Sequence, residues 1–182
     1  MLRYYYLTWL SQPAADRPLY QTVAKRPLRS IVELGIGSAV RAKRLLEMAV
    51  QPQHAVEPLR YTGIDLFEAR DKKSPGLTLK EAYAQLKAEH VKLQLVPGDP
   101  LSALSRSANS LSGTDVLIIS LDQAGESLEQ AWRFVPRMLH ASSLVYLERE
   151  GKKAGETKFE LVSLSEVSRL ASAAKRATRR AA

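Results

Sequence analysis

Carboxylates recur along this chain at the ends of apolar runs: Glu33 inside Ser30–Gly37, Asp65 closing Leu59–Asp65, Asp99 just after Val91–Val96, Asp122 after Asp115–Ile119, and Glu148 after Ser143–Leu147. The first of them stands two residues before a Gly35-Ile36-Gly37 turn, and a helix-like run, Ala39 to Val50, follows. Glycines at 35 and 37 remove the Cβ atoms that keep a ligand off the backbone, and the N–H groups of the helix start face whatever sits there. Two glycines also serve a tight turn for backbone reasons alone, which is the plainer reading of the motif. Glu33 decides the kind of ligand: it would repel a pyrophosphate resting on the helix start and attract an ammonium or sulfonium centre. No Gly-x-x-x-x-Gly-Lys-Ser/Thr run is present, so a P-loop nucleotide triphosphatase is not supported.

The elements that must carry these residues alternate. Five apolar runs read as strands, and between them lie helices with recognisable limits. Ser38 is expected to cap the first, with Ala42, Leu45, Leu46 and Ala49 on one face and Pro52 beyond its end. Thr78 to Glu81 has capping-box spacing. A third helix is expected from Glu126 to His140, bent at Pro136. Residues 71–76 read as a mobile loop. The alternation implies an α/β fold, a doubly wound, mostly parallel Rossmann-like sheet of order 3-2-1-4-5 plus a short C-terminal strand near Lys158–Ser163, with helices on both faces. Polar groups then collect at the carboxyl ends of the strands, where open α/β sheets hold ligands, and Asp65 falls at about the distance expected of an acid that takes a ribose hydroxyl pair.

Val32–Gly37, Gly63–Asp65, Gly98-Asp99, the strand from Asp115 and Phe134–Leu139 together resemble the class I S-adenosylmethionine-dependent methyltransferases over Ser30 to about Glu148. The resemblance implies S-adenosylmethionine as cofactor. Gly35 and Gly37 would pack under its methionine part, Asp65 would bind the ribose hydroxyls, Asp99 would reach the adenine amino group, and Glu33 would sit by the cationic amino group. Two departures stand out. The region after strand five is short for that family, and the end of strand four reads Ser120-Leu121-Asp122-Gln123 in place of the Asn/Asp-Pro-Pro-Tyr arrangement of nucleic-acid amino methyltransferases. Asp122 and Glu148 partly resemble the carboxylates of magnesium-dependent O-methyltransferases, but two hard-oxygen ligands are too few, so no metal is expected.

No catalytic base is evident. His54, His90 and His140 read as surface or capping residues, the last two at helix ends. Ser120, Asp122 and Tyr146 are the candidates to orient an acceptor; a dedicated base is optional, because much of the acceleration of methyl transfer can come from holding donor and acceptor in line.

The chain of 182 residues, 45% hydrophobic, suits one domain: an N-terminal aromatic-rich cover (1–28), a cofactor-binding core (29–150), and a short strand with a basic helix (151–182). Tyr4, Tyr5, Tyr6, Leu7, Trp9 and Leu10 are expected to pack on something: the domain's own sheet edge, or alternatively as a lid on the acceptor pocket or a homodimer contact. With no secretory signal or membrane-length apolar run, the expected location is cytoplasmic, away from membranes. Zero cysteines exclude disulfides and thiolate chemistry. Of the net charge of +8, five positive charges lie at Arg169, Lys175, Arg176, Arg179 and Arg180, with no acid after Glu166. These read as a solvated helix end rather than a nucleic-acid site, since no aromatics interleave to stack bases. The function expected is methyl transfer to a small molecule at oxygen or nitrogen; the alternatives are a non-catalytic binding or scaffolding domain and, third, an RNA methyltransferase using the basic tail.

Overall fold

The computed structural model describes residues 2–50, 57–71, 76–153 and 155–181. Six strands form one sheet: β1 (Ser30–Leu34), β2 (Leu59–Asp65), β3 (Val91–Pro97), β4 (Thr114–Ile119), β5 (Leu139–Glu150) and β6 (Thr157–Val162), in the order β3-β2-β1-β4-β5-β6. The first five run parallel, and β6 returns antiparallel to β5. The connections are α3 (Val40–Ala49), α4 (Leu79–Leu86), α5 (Pro100–Ser107) and α6 (Glu126–Ala131); α1 (Leu2–Tyr5) and α2 (Arg17–Lys25) precede β1, and α7 (Leu164–Ala181) follows β6.

β1 is buried at every position, as a central parallel strand covered on both faces must be. Its alternate residues feed two cores. Ile31 packs with Tyr20, Leu45, Tyr61 and Leu86 on the side of α2, α3 and α4, while Val32 and Leu34 pack with Leu104, Trp132 and Val167 on the side of α5, α6 and α7. Strand order reverses at β1 and β4, which opens a crevice beyond their carboxyl ends. Gly63, in mid-β2, is there for space: a Cβ would meet Ile36 Cγ2 at 3.0 Å and Leu95 Cδ2 at 3.1 Å.

The expected sheet order is present, and several local expectations are corrected. Ser38 does not cap α3. Ala39 takes the cap position with φ +59°, and the turn is closed by its own N–H donating to the Ile36 carbonyl at 2.8 Å. The helix expected to reach His140 ends at Ala131. Pro136 lies in a single 3-10 turn, Val135–Arg137, since it brings no N–H to continue an α-helix. The Met138 carbonyl then accepts from Thr114 N–H at 2.9 Å, so β5 starts at Leu139 and His140 is a strand residue whose Nε2 lies 3.0 Å from Asp115 Oδ1. Thr78 and Glu81 make the full reciprocal capping box. Pro52, His54 and residues 72–75 of the expected mobile loop lie outside the described residues.

Residues 2–10 form α1 and a wider turn, Tyr6–Leu10, which packs against α2. Leu7 is buried there, the Tyr4 hydroxyl donates to the Ala24 carbonyl at 2.6 Å, and Arg3 pairs with Glu47. Tyr5, Tyr6, Trp9 and Leu10 stay exposed, and the following turn, Ala14–Asp16, packs against the edge strand β6. No helix among the described residues is long and apolar enough to cross a membrane.

Candidate functional site

Glu33 shares a strand face with Ile31, so it projects beneath α3 and is fully buried. An ionised carboxylate there requires compensation. It receives two donors: Arg41 Nε at 2.7 Å on Oε1 and the Tyr61 hydroxyl at 2.5 Å on Oε2. The Tyr61 hydroxyl is correspondingly held well above its ordinary pKa by burial and by the Glu33 charge. Arg41, in the first turn of α3, extends further. Its Nη2 donates to the Gly35 carbonyl at 3.0 Å and to Ser120 Oγ, and its Nη1 lies 3.7 Å from Asp16 Oδ1 and 4.0 Å from Glu148 Oε2. The guanidinium stands over the Phe159 ring, 5.2 Å from its centroid. Burial alone would ease the proton off Arg41, yet Glu33, Asp16 and Glu148 outweigh it and hold the charge more firmly than usual. Asp16 goes the other way: burial, then the Glu33 and Glu148 charges, raise its pKa against the pull of Arg41.

The β1–α3 turn rests on this hub. Gly35 (φ +82°) and Gly37 (φ +53°) both occupy the left-handed region. A Cβ on Gly35 would collide with Asp122 Oδ1 at 2.6 Å and with Gln123 Cγ and Ser120 Cβ at 2.9 Å, so this glycine is where the β1 and β4 ends close on each other. A Cβ on Gly37 would meet nothing within 4 Å. The Gly37 N–H donates to Asp65 Oδ2 at 3.0 Å, while Asp65 Oδ1 accepts from Leu66 N–H at 2.7 Å and from Arg70. Asp65 is thereby buried at the end of β2.

Asp99 caps α5, with Oδ1 accepting from the N–H groups of Leu101 (3.0 Å) and Ser102 (3.2 Å) and from the Ser127 hydroxyl. Desolvation would raise its pKa, but these hydrogen bonds bring it down to about 2. Ser120 Oγ donates to the Gly35 carbonyl at 2.7 Å. Asp122 is exposed beside Asp65, and partial desolvation followed by that neighbouring charge raises its pKa. Glu148 accepts from Leu121 N–H at 3.0 Å and Thr157 Oγ1 at 2.6 Å. Tyr146 is not at this edge: its hydroxyl pairs with Thr22 Oγ1 at 2.6 Å on the α2 side, which removes it as an acceptor-orienting group. Among the described residues no three His, Asp or Glu side chains converge as a metal site.

Gly35, Gly37, Asp65, Ser120 and Asp122 therefore meet at one crevice, Glu33 is joined to it from beneath α3 through Arg41, and Asp99 lies at the end of β3, beyond β2. No family model matches this chain, and no curated protein does. Solved structures do. A TehB-like SAM-dependent methyltransferase from Corynebacterium glutamicum ATCC 13032 superposes with a TM-score of 0.52 at 16% identity, covering 91% of this chain and 74% of that one. Precorrin-6y C5,15-methyltransferase from Geobacter metallireducens GS-15 gives 0.51 at 16% identity over 90% and 70%. This chain has the class I methyltransferase fold. A SAM-dependent methyltransferase from Thiobacillus denitrificans, solved with S-adenosyl-L-homocysteine, gives 0.48 at 16% identity over 80% of this chain, which spans 54% of that protein's length.

Within this methyltransferase fold, the residues that sequence reasoning passed over are Arg41, Tyr61, Arg70, Asp16 and Ser127. Arg41 left a signal, since it shares a helix face with Leu45 and Met48, four and seven positions on, both buried. An arginine on a core-facing stripe needs a buried anion. The others carry no comparable mark, because Asp16 and Arg70 reach the site from turns whose path the sequence pattern does not give.

Proposed function

We propose that this domain binds an S-adenosyl ligand across the carboxyl ends of β1, β2 and β3 and transfers its methyl group to oxygen or nitrogen of a small-molecule acceptor. The observation that carries the reading is the β1–α3 turn: two left-handed glycines, open space over Gly37, and the Gly37 N–H tied to a carboxylate that ends the neighbouring strand. Carboxylates and carbonyls gather there, Glu33 and Asp65 each paired with an arginine of the same chain, and these acceptors suit the hydroxyl and ammonium donors of such a ligand.

When bound, S-adenosylmethionine supplies an electrophilic methyl group on a sulfonium. The chain's residues then act by position. Gly35 and Gly37 let the backbone approach, Asp65 and Asp99 offer carboxylate oxygens to the ribose hydroxyls and the adenine amino group, and Glu33 offers charge to the methionine ammonium. Ser120 and Asp122 stand at the β4 end, where an acceptor can be held in line. A raised pKa suits Asp122 to accept a proton from an acceptor hydroxyl or amine.

A second reading, a binding or scaffolding domain without turnover, is favoured by one observation: Glu33 and Asp65 are both held by arginines of the same chain. Calorimetric titration with S-adenosylhomocysteine, followed by transfer of labelled methyl from S-adenosylmethionine to a panel of acceptors, separates the two. Binding with turnover supports methyl transfer. Binding without turnover on any acceptor supports the scaffold, and no binding refutes methyl transfer.

A further inference from the structure

Arg41 occupies the acceptor set that the S-adenosyl reading assigns to the ligand's cation. Its Nε and Nη2 edge saturates Glu33 Oε1, the Gly35 carbonyl and Ser120 Oγ, which form an acceptor set suited to an ammonium group. Its Nη1 edge is different. It faces Asp16 and Glu148 at 3.7 and 4.0 Å, beyond hydrogen-bond distance, with the guanidinium lying over Phe159. Phe159 is the register partner of Glu148 across β5 and β6, so the ring that supports the guanidinium leads toward that second carboxylate.

Charge counting points the same way. Glu33, Asp16 and Glu148 surround one guanidinium, and their side chains are 0%, 5% and 13% exposed. Three carboxylates and one cation in a site this dry are short of positive charge, and an entering cation relieves the deficit.

We propose that Arg41 is an internal competitor with two positions: in the unliganded chain it holds Glu33, Gly35 and Ser120, and a ligand carrying an ammonium group enters by displacing it onto Asp16 and Glu148. The device rests on the S-adenosyl reading above and adds to it a gate that senses the amino-acid end of the ligand. The free energy of moving Arg41 is subtracted from the affinity of any ligand that needs Glu33 and spares one that does not.

The test compares two probes by calorimetry. S-adenosylhomocysteine carries the ammonium group, and 5′-methylthioadenosine keeps the nucleoside and lacks it. Glu148→Gln removes one receiving carboxylate while keeping an acceptor for Leu121 N–H, and is expected to weaken S-adenosylhomocysteine by about tenfold with methylthioadenosine unchanged. Arg41→Met removes the competitor and is expected to strengthen S-adenosylhomocysteine by about tenfold, again without moving methylthioadenosine. Glu148→Gln stands alone if Arg41→Met fails to fold. If both probes bind and neither variant changes their ratio, the gate is refuted and the ligand reading survives. If Arg41→Met weakens S-adenosylhomocysteine selectively, Arg41 is a direct ligand for its carboxylate and the gate is refuted. If neither probe binds any variant, the ligand reading fails and the gate with it.

Discussion

Replacing Gly37 by alanine should separate ligand binding from stability, and replacing Gly35 should not. Both residues hold a positive φ, which costs an L-residue about 1–2 kcal/mol. At Gly37 that is the whole cost, because the new methyl meets nothing within 4 Å. For a domain of this size it lowers Tm by roughly 2–8 °C. At Gly35 the methyl also collides with Asp122, Gln123 and the Ser120 Cβ, all within 2.9 Å, which adds an overpacking cost of about 1–3 kcal/mol. The Tm loss for Gly35→Ala should therefore be roughly twice that for Gly37→Ala. The Gly37 methyl projects into the space that a ligand must enter, so Gly37→Ala should lose S-adenosylhomocysteine affinity by about tenfold or more while remaining folded. Scanning calorimetry and titration calorimetry on the two variants read both quantities. Equal Tm losses, or a Gly37→Ala protein that binds like the unmodified chain, would refute the reasoning.

Further outcomes concern the groups around the site. Tyr61→Phe leaves the buried Glu33 Oε2 without its donor and should cost roughly 1–3 kcal/mol in denaturant unfolding. Thr78→Ala breaks the capping box of α4 and should cost about 1 kcal/mol, with S-adenosylhomocysteine affinity unchanged in the same preparation. Asp99 has a folded pKa of about 2 against an ordinary 3.8, so the stability it contributes is present above 3.8 and is lost as pH falls toward 2; Asp99→Asn should flatten the acid limb of a Tm–pH profile. Asp16 has the opposite sign. Its folded pKa is raised, so its contribution is present below 3.8 and lost as pH rises through the folded value, and Asp16→Asn should remove that decline from the same profile.

The sheet was legible because the parallel strands carry apolar or alternating runs closed by polar turns, and β1, buried on both faces, leaves little freedom of assignment. The C-terminal part of the α6 region was not. Leu128, Ala131, Trp132 and Val135 keep helical spacing and are all buried, yet they pack from a short helix and a 3-10 turn, because Pro136 ends the backbone ladder without disturbing the apolar pattern. In the crevice, the sequence pointed to Glu33 and Asp65 as anions at strand ends but not to the arginines that hold them. A carboxylate's burial partner is chosen by tertiary approach, and Arg70 reaches Asp65 from a turn that follows no periodic pattern. His140 shows the same limit: its role changes from helix end to strand pairing with Asp115 once Met138 bonds Thr114.

Gly63 and Ile36 lie on different elements but share a single volume. A Cβ at 63 would stand 3.0 Å from Ile36 Cγ2, so Ile36, the residue before the Gly37 N–H that reaches Asp65, must give way slightly. In homologous chains the two positions should trade size, a bulkier residue at 63 appearing only beside a smaller one at 36. The strand thus sets the height of a loop it does not belong to.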